Sequence, residues 1–132
     1  MAREKLHHTH KTYTYIEMIT LPSIGKCRKY ENIKELTYMI LQLIPVGKVT
    51  TYKALAKVFN TSPRVIGRIM RENKDLIITP CHRVIKSNGD LGGYSLGIHF
   101  KRKLLSLEGV KFRNNKICKE CIIHDLIEFI DP

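Results

Sequence analysis

Pro80-Cys81-His82, set between Leu76-Ile77-Ile78 and Val84-Ile85, constrains this chain more than any other stretch. Pro80 fixes its own φ and biases Thr79 away from helix. The β-branched residues on both sides favour a buried, extended backbone. A cysteine in that setting is held rigidly at the floor of a fold, not on a mobile loop. Thiolate is the reactive form of cysteine, and a nearby histidine lowers the thiol pKa or takes its proton. Adjacent side chains on an extended backbone point to opposite faces, so His82 reaches Cys81 only through a kink or a bridging water. The alternative is a buried structural cysteine beside a chance histidine, since free cysteine is among the most buried residue types.

The flanking segments read mostly as helices. From Asn32 to Ile44, Leu36, Met39, Ile40, Leu43 and Ile44 recur at spacings of three and four. That pattern predicts a helix with one core-facing stripe, capped by Asn32 and stopped by Pro45-Val46-Gly47-Lys48. Thr51 to Phe59 reads as a short helix carrying Leu55, Ala56 and Phe59, with Asn60-Thr61 as a turn. Ser62 caps a second helix, with Pro63 at its first position, running to about Arg71. Val65, Ile66, Ile69 and Met70 face inward there, and Arg64, Arg68 and Arg71 share one outer face. The pair resembles a helix-turn-helix, and a helical hairpin with a solvated basic face has the same pattern.

Glu72-Asn73-Lys74-Asp75 breaks the second helix, and after the cysteine segment Lys86 to Ser95 forms a glycine-rich loop. Its backbone can approach a ligand closely, without dinucleotide or phosphate-loop spacing. Gly97 to Leu107 reads as a third helix, with Phe100, Leu104, Leu105 and Leu107 inward and Lys101, Arg102 and Lys103 adding charge. Glu108 ends it and Gly109 is a natural stop. Tyr13 to Leu21 reads as a strand, Pro22 to Lys29 as a loop, and the start, with His7, His8 and His10, as a frayed terminus. Asn114-Asn115 suggests a turn, and Ile122 to Ile130 a short helix or strand.

With 23 Lys and Arg against 12 Asp and Glu, the net charge of +11 points to a polyanionic partner, most commonly nucleic acid. No apolar run approaches the ~20 residues that span a bilayer, and the start is unlike a signal peptide, so an intracellular protein is expected. Cys27, Cys81, Cys118 and Cys121 are then thiols, catalysts or metal ligands more often than disulfides. Cys118-Lys119-Glu120-Cys121 followed by His124 has the spacing of half a zinc site, which Cys27 or an N-terminal histidine could complete.

The motif order resembles the O6-alkylguanine-DNA alkyltransferases over about residues 43–110. A helix-turn-helix with an arginine on its second helix precedes an asparagine break, Pro-Cys-His-Arg-Val, Gly-Gly-Tyr-Ser and a helix ending in Glu-Gly. The resemblance implies that Cys81 is the alkyl acceptor, that His82 activates it through a water, and that Glu108 orients His82. It implies that Asn73 is the hinge asparagine, that Tyr52 helps rotate the target phosphate, and that Arg64 fills the gap left by a flipped base. Tyr94 and Ser95 match guanine-contacting loop residues, and Lys101 a lysine near the pocket. The chemistry is consistent with these roles. A buried thiolate cannot reach O6 inside a duplex, so the nucleotide must leave the stack. A long planar cation can fill the hole, and a hydroxyl donor can stabilise the leaving guanine.

The expectation is a small α/β (α+β) protein, mainly helical, with a helix-turn-helix DNA-binding alkyltransferase domain at residues 43–110. A short strand-plus-helix region at 1–42, a truncated form of the family's N-terminal domain, precedes it, and a tail at 111–132 follows. The expected activity is DNA repair by single-turnover transfer of a methyl or small alkyl group from guanine O6 to Cys81. No cofactor and no metal are called for. The expected partner is double-stranded DNA carrying O6-alkylguanine, bound by a monomer in the cytoplasm, at the nucleoid, or in the nucleus. The competing readings are a non-catalytic alkylated-DNA lesion-binding protein and a helix-turn-helix transcriptional regulator.

Overall fold

A computed structural model describes residues 29–131. The expected strand at Tyr13 to Leu21, the histidines His7, His8 and His10, and Cys27 lie outside the described residues. Helix α1 spans Tyr30–Leu43 and buries Ile33, Leu36, Thr37, Ile40 and Leu41. Its start differs from expectation: Lys29, not Asn32, stands at the N-cap and makes no side-chain cap. Leu43 falls on the outer side at 45% exposure, because the buried stripe runs through Ile33, Leu36 and Ile40 and then Ile44.

Strand β1 (Val49–Thr51) follows, fully buried, and leads directly into α2 (Tyr52–Val58). Thr51 is therefore not the first residue of a helix: it ends a strand and caps α2 by accepting a hydrogen bond from the Ala54 N–H. Helix α3 (Pro63–Arg71) starts as expected, with Ser62 accepting from the Val65 N–H and Pro63 in its first turn. Ile66, Ile69 and Met70 turn inward against α2 and α1. Polar contacts hold α1 on α3: Tyr38 donates to the Ile69 carbonyl at 2.6 Å, Tyr30 donates to Glu72, and Lys34 pairs with the same carboxylate at 3.4 Å.

The segment after α3 departs from the sequence expectation. Ile77 is 94% exposed and Ile78 61% exposed, and Cys81–Arg83 is a 3₁₀ turn rather than extended chain. Backbone polar groups decide this. Asn73 and Asp75 side chains capture the loop's own N–H and C=O groups, so the loop needs no strand partner and Ile77 and Ile78 are turned outward. Only Val84–Ile85 forms a strand, β2.

Helix α4 (Ile98–Leu107) turns Leu105 inward but leaves Phe100 47% and Leu107 77% exposed, contrary to the expected stripe. Lys101 is instead fully buried. The hairpin β3 (Phe112–Arg113) and β4 (Lys116–Ile117) turns through Asn114 and Asn115, both at positive φ, as a two-residue connection demands. The stretch from Ile122 resolves into a strand, β5 (Ile122–Ile123), and a helix, α5 (Leu126–Ile130).

Strands β2, β1 and β5 form a small parallel sheet with β1 in the middle. Thr50 pairs with Val84 on one side and Ile123 on the other. One core joins α1, α2 and α3 to Cys81, Val84 and Leu126. A second gathers Val49, Ile85, Leu91, Leu105, Val110, Ile117 and Cys121. Cys81 thus packs into the first core, and its turn runs directly into β2, whose Val84 and Ile85 belong one to each core.

Candidate active site

A cleft of about 730 Å³ opens between α2, α3 and the glycine-rich loop. Tyr52, Arg64, Met70, Arg71, Cys81 and Lys86 are among its walls, and Gly92, Gly93, Tyr94 and Ser95 close the loop side. Gly92 has φ +73°, and a Cβ there would stand 3.2 Å from the Tyr52 ring. Both the backbone conformation and the close packing of Tyr52 thus require glycine.

Cys81 is 6% exposed and lies at the cleft floor. Its burial pushes the thiol above its ordinary value, against a lowering hydrogen bond from Asn73 and the nearby Lys101 charge. Asn73 is itself buried: its Nδ2 donates to the Thr79 carbonyl at 2.9 Å and its Oδ1 accepts from the Asp75 N–H at 3.0 Å. It therefore ties the end of α3 to the residues just before the cysteine.

His82 is buried, with Nε2 and Glu108 Oε2 3.0 Å apart. Its Nδ1 has no hydrogen-bond partner among the described residues. Tyr94 stands edge-on to His82, with ring centroids 6.3 Å apart, and stacks on Phe100 from its other side. Burial raises the Glu108 carboxyl, but hydrogen bonds from Arg83 and His82, together with their charges, hold it below its ordinary value.

Lys101 does not line the cleft. Its ammonium donates to the carbonyls of Val84, Leu91 and Gly93, beneath the glycine-rich loop. Desolvation lowers its pKa to about 8, opposed by Cys81. Arg68 is also set apart from the expected arginine face: it pairs with Glu72 at 3.5 Å and covers the Tyr30 ring at 4.6 Å. Arg64 and Arg71 remain on the cleft side. Lys53, Lys86 and Ser87 also reach the cleft, and sequence reading assigned them nothing. Lys53 on α2 and Lys86 on the polar loop are single lysines among many, with no spacing that would mark them out.

Cys118 caps and Cys121 ends a 3₁₀ turn, Lys119–Cys121, and the described residues contain no group of three or more metal-ligating side chains.

The model of the 6-O-methylguanine DNA methyltransferase DNA-binding domain matches residues 32–110. A methylated-DNA–protein-cysteine methyltransferase of Saccharolobus islandicus is 57% identical over 68 residues, 52% of this chain and 44% of that protein. One of Pyrobaculum aerophilum is 51% identical over 80 residues, 59% of this chain and 54% of that protein. The chain thus spans about half the length of the curated relatives it matches. Among solved structures, S. pombe Atl1 in complex with damaged DNA containing O6-carboxymethylguanine has a TM-score of 0.64 at 25% identity, covering 73% of this chain and 98% of that one. The methyltransferase of Pyrococcus kodakaraensis has a TM-score of 0.55 at 34% identity, covering 74% and 62%.

Proposed function

The chain belongs to the family defined by the DNA-binding domain of the 6-O-methylguanine DNA methyltransferases, and on that premise we propose that it repairs alkylated DNA by transferring the alkyl group to Cys81. The observation that carries the reading is a buried thiol at the floor of a cleft rimmed by Arg64, Arg71, Lys53 and Lys86. A nucleophile so placed is out of reach of a stacked base, so its substrate is an extruded nucleotide. Double-stranded DNA carrying O6-alkylguanine is that substrate, and the chain acts as a monomer inside the cell.

The roles follow from the chemistry of each group. The Cys81 thiol is held protonated by burial and needs a base. His82 Nδ1, buried and without a partner among the described residues, takes that proton directly or through a water, while Glu108 steadies the imidazolium at Nε2. Asn73 donates toward the thiolate as it forms. Tyr94 and Ser95 face the guanine, and the Tyr94 hydroxyl stabilises its departing electron pair. Arg64, exposed on α3, enters the stack where the base has left, and Tyr52 turns the target phosphate. A thioether is stable, so each chain turns over once.

Duplex DNA with one O6-methylguanine inside a restriction site blocked by that lesion tests this. Incubation should restore cleavage, saturating at one repaired site per chain. Tight binding without restored cleavage would support a lesion-binding protein, and no preference for the lesion a transcriptional regulator.

A further inference from the structure

Arg83 does not line the cleft, yet each nitrogen of its guanidinium donates a hydrogen bond beside the His82–Glu108 pair. Its Nε donates to Glu108 Oε1 at 3.0 Å and its Nη2 to Oε2 at 2.8 Å. This two-pronged grip fixes the plane of the carboxylate, which a lysine ammonium cannot do. Glu108 Oε2 also meets His82, so one carboxylate serves two donors. The remaining arm, Nη1, donates to the Ile44 carbonyl at 2.7 Å. Ile44 is the C-cap of α1, where carbonyls run out of helical partners. A second contact joins the same places. Gly47 has φ +90°, and a Cβ there would stand 3.2 Å from the Glu108 backbone oxygen. The turn after α1 therefore lies directly against the end of α4, through a side chain and through backbone.

We propose that Arg83 is a positioning residue for the His82–Glu108 pair, and that the turn after α1 is the seat on which it holds that pair. The inference rests on the alkyl-transfer reading. With Arg83 across both its oxygens, Glu108 remains an anion throughout and receives no proton. The thiol proton passes to His82. The Cys81 sulfur forms the new S–C bond as the O6–C bond breaks, its electron pair stays with the guanine, and the proton held by His82 neutralises that base. The titratable groups facing Glu108 are His82, Arg83 and the Tyr94 phenol, which Glu108 helps to raise after burial and Cys81.

The test compares the full chain with Arg83→Gln and Arg83→Lys by two readouts. The first is the single-turnover rate of methyl transfer from duplex DNA. The second, which needs no substrate, is the carbon-13 titration of the Glu108 carboxyl. Arg83→Gln should slow transfer about tenfold or more, with duplex affinity unchanged, and move the Glu108 titration to higher pH. Arg83→Lys should restore the titration in part but not the rate, because the charge returns without the fork. Should Arg83→Gln fail to fold, the lysine variant decides by the same two readouts. A lysine variant with wild-type rate and wild-type titration would overturn the proposal. A wild-type chain that transfers nothing would overturn the transfer reading alone, leaving Arg83 to be decided by the titration.

Discussion

Replacing Asn73 with alanine removes three interactions of unequal weight. The Thr79 carbonyl keeps a second donor, the Cys81 N–H at 2.8 Å, so it is not orphaned. The Asp75 N–H lies in an exposed residue, where water replaces the lost acceptor. Each loss then costs no more than an ordinary hydrogen bond, about 1–2 kcal/mol of stability together. The third partner is the thiol, and there the effect is on reactivity. Asn73 heads the influences that oppose burial at Cys81, so its removal raises the thiol further. The thiolate fraction at neutral pH then falls, with the plateau at high pH unchanged. Asn73→Asp is the sharper variant. It keeps the acceptor for Asp75 but sets a carboxylate against the Thr79 carbonyl and beside the thiolate, so it should exceed alanine in both costs. Urea unfolding measures the first cost. The second is read from the pH dependence of iodoacetamide labelling at the Cys81 peptide, followed up to the alkaline plateau. Variants that lose stability while the midpoint of Cys81 labelling stays put would refute this account of Asn73, as would an aspartate variant that labels faster than alanine.

Arg64→Ala should slow repair of duplex DNA strongly while sparing reaction with free O6-alkylguanine, since a wedge matters only where a stack must be opened; equal loss on both substrates would contradict the assignment. His82→Ala and Glu108→Gln, compared in single-turnover assays, should be far from additive, because each removes the same pair. Lys101→Met keeps the stem and drops the ammonium. Folded Lys101 titrates at about 8 against an ordinary 10.5, so the unfolded chain binds the extra proton between those values and stability gains from this residue as pH rises through that window. Urea unfolding at about pH 7 and about pH 9.5 should show that gain in the wild type and its loss in the methionine variant, beside a baseline cost of about 1–3 kcal/mol for three carbonyls left without that donor.

What was legible in the sequence is local. Ser62-Pro63 starts α3, and Asn114-Asn115 turns the hairpin, because cap and turn chemistry act over two to four residues. The apolar period located α1 and α3, though at Leu43 it extended one face too far. The parallel sheet was not legible: strands of two or three residues carry no period, and β1 finds β5 across more than 70 positions. Lys101 reads as a surface cation on any helical wheel, yet its long stem carries the charge to three inward carbonyls. Ile77 and Ile78 read as strand, and the Asn73 and Asp75 side chains overrode that propensity. The meeting of His82 with Glu108 spans 26 positions, and the family resemblance pointed to it where periodicity could not. Arg83 lay inside the same motif unassigned, since its partners come from α1 and α4.

The identity of the acceptor atom is the claim on which the rest depends. The full chain, incubated with excess duplex containing O6-methylguanine, should gain one methyl mass and no more, with the label on the peptide that holds Cys81. Cys81→Ser should gain none while still binding the duplex, because its basic rim is untouched. A methyl on Cys27, Cys118 or Cys121, or an unmodified chain beside repaired DNA, would contradict the mechanism.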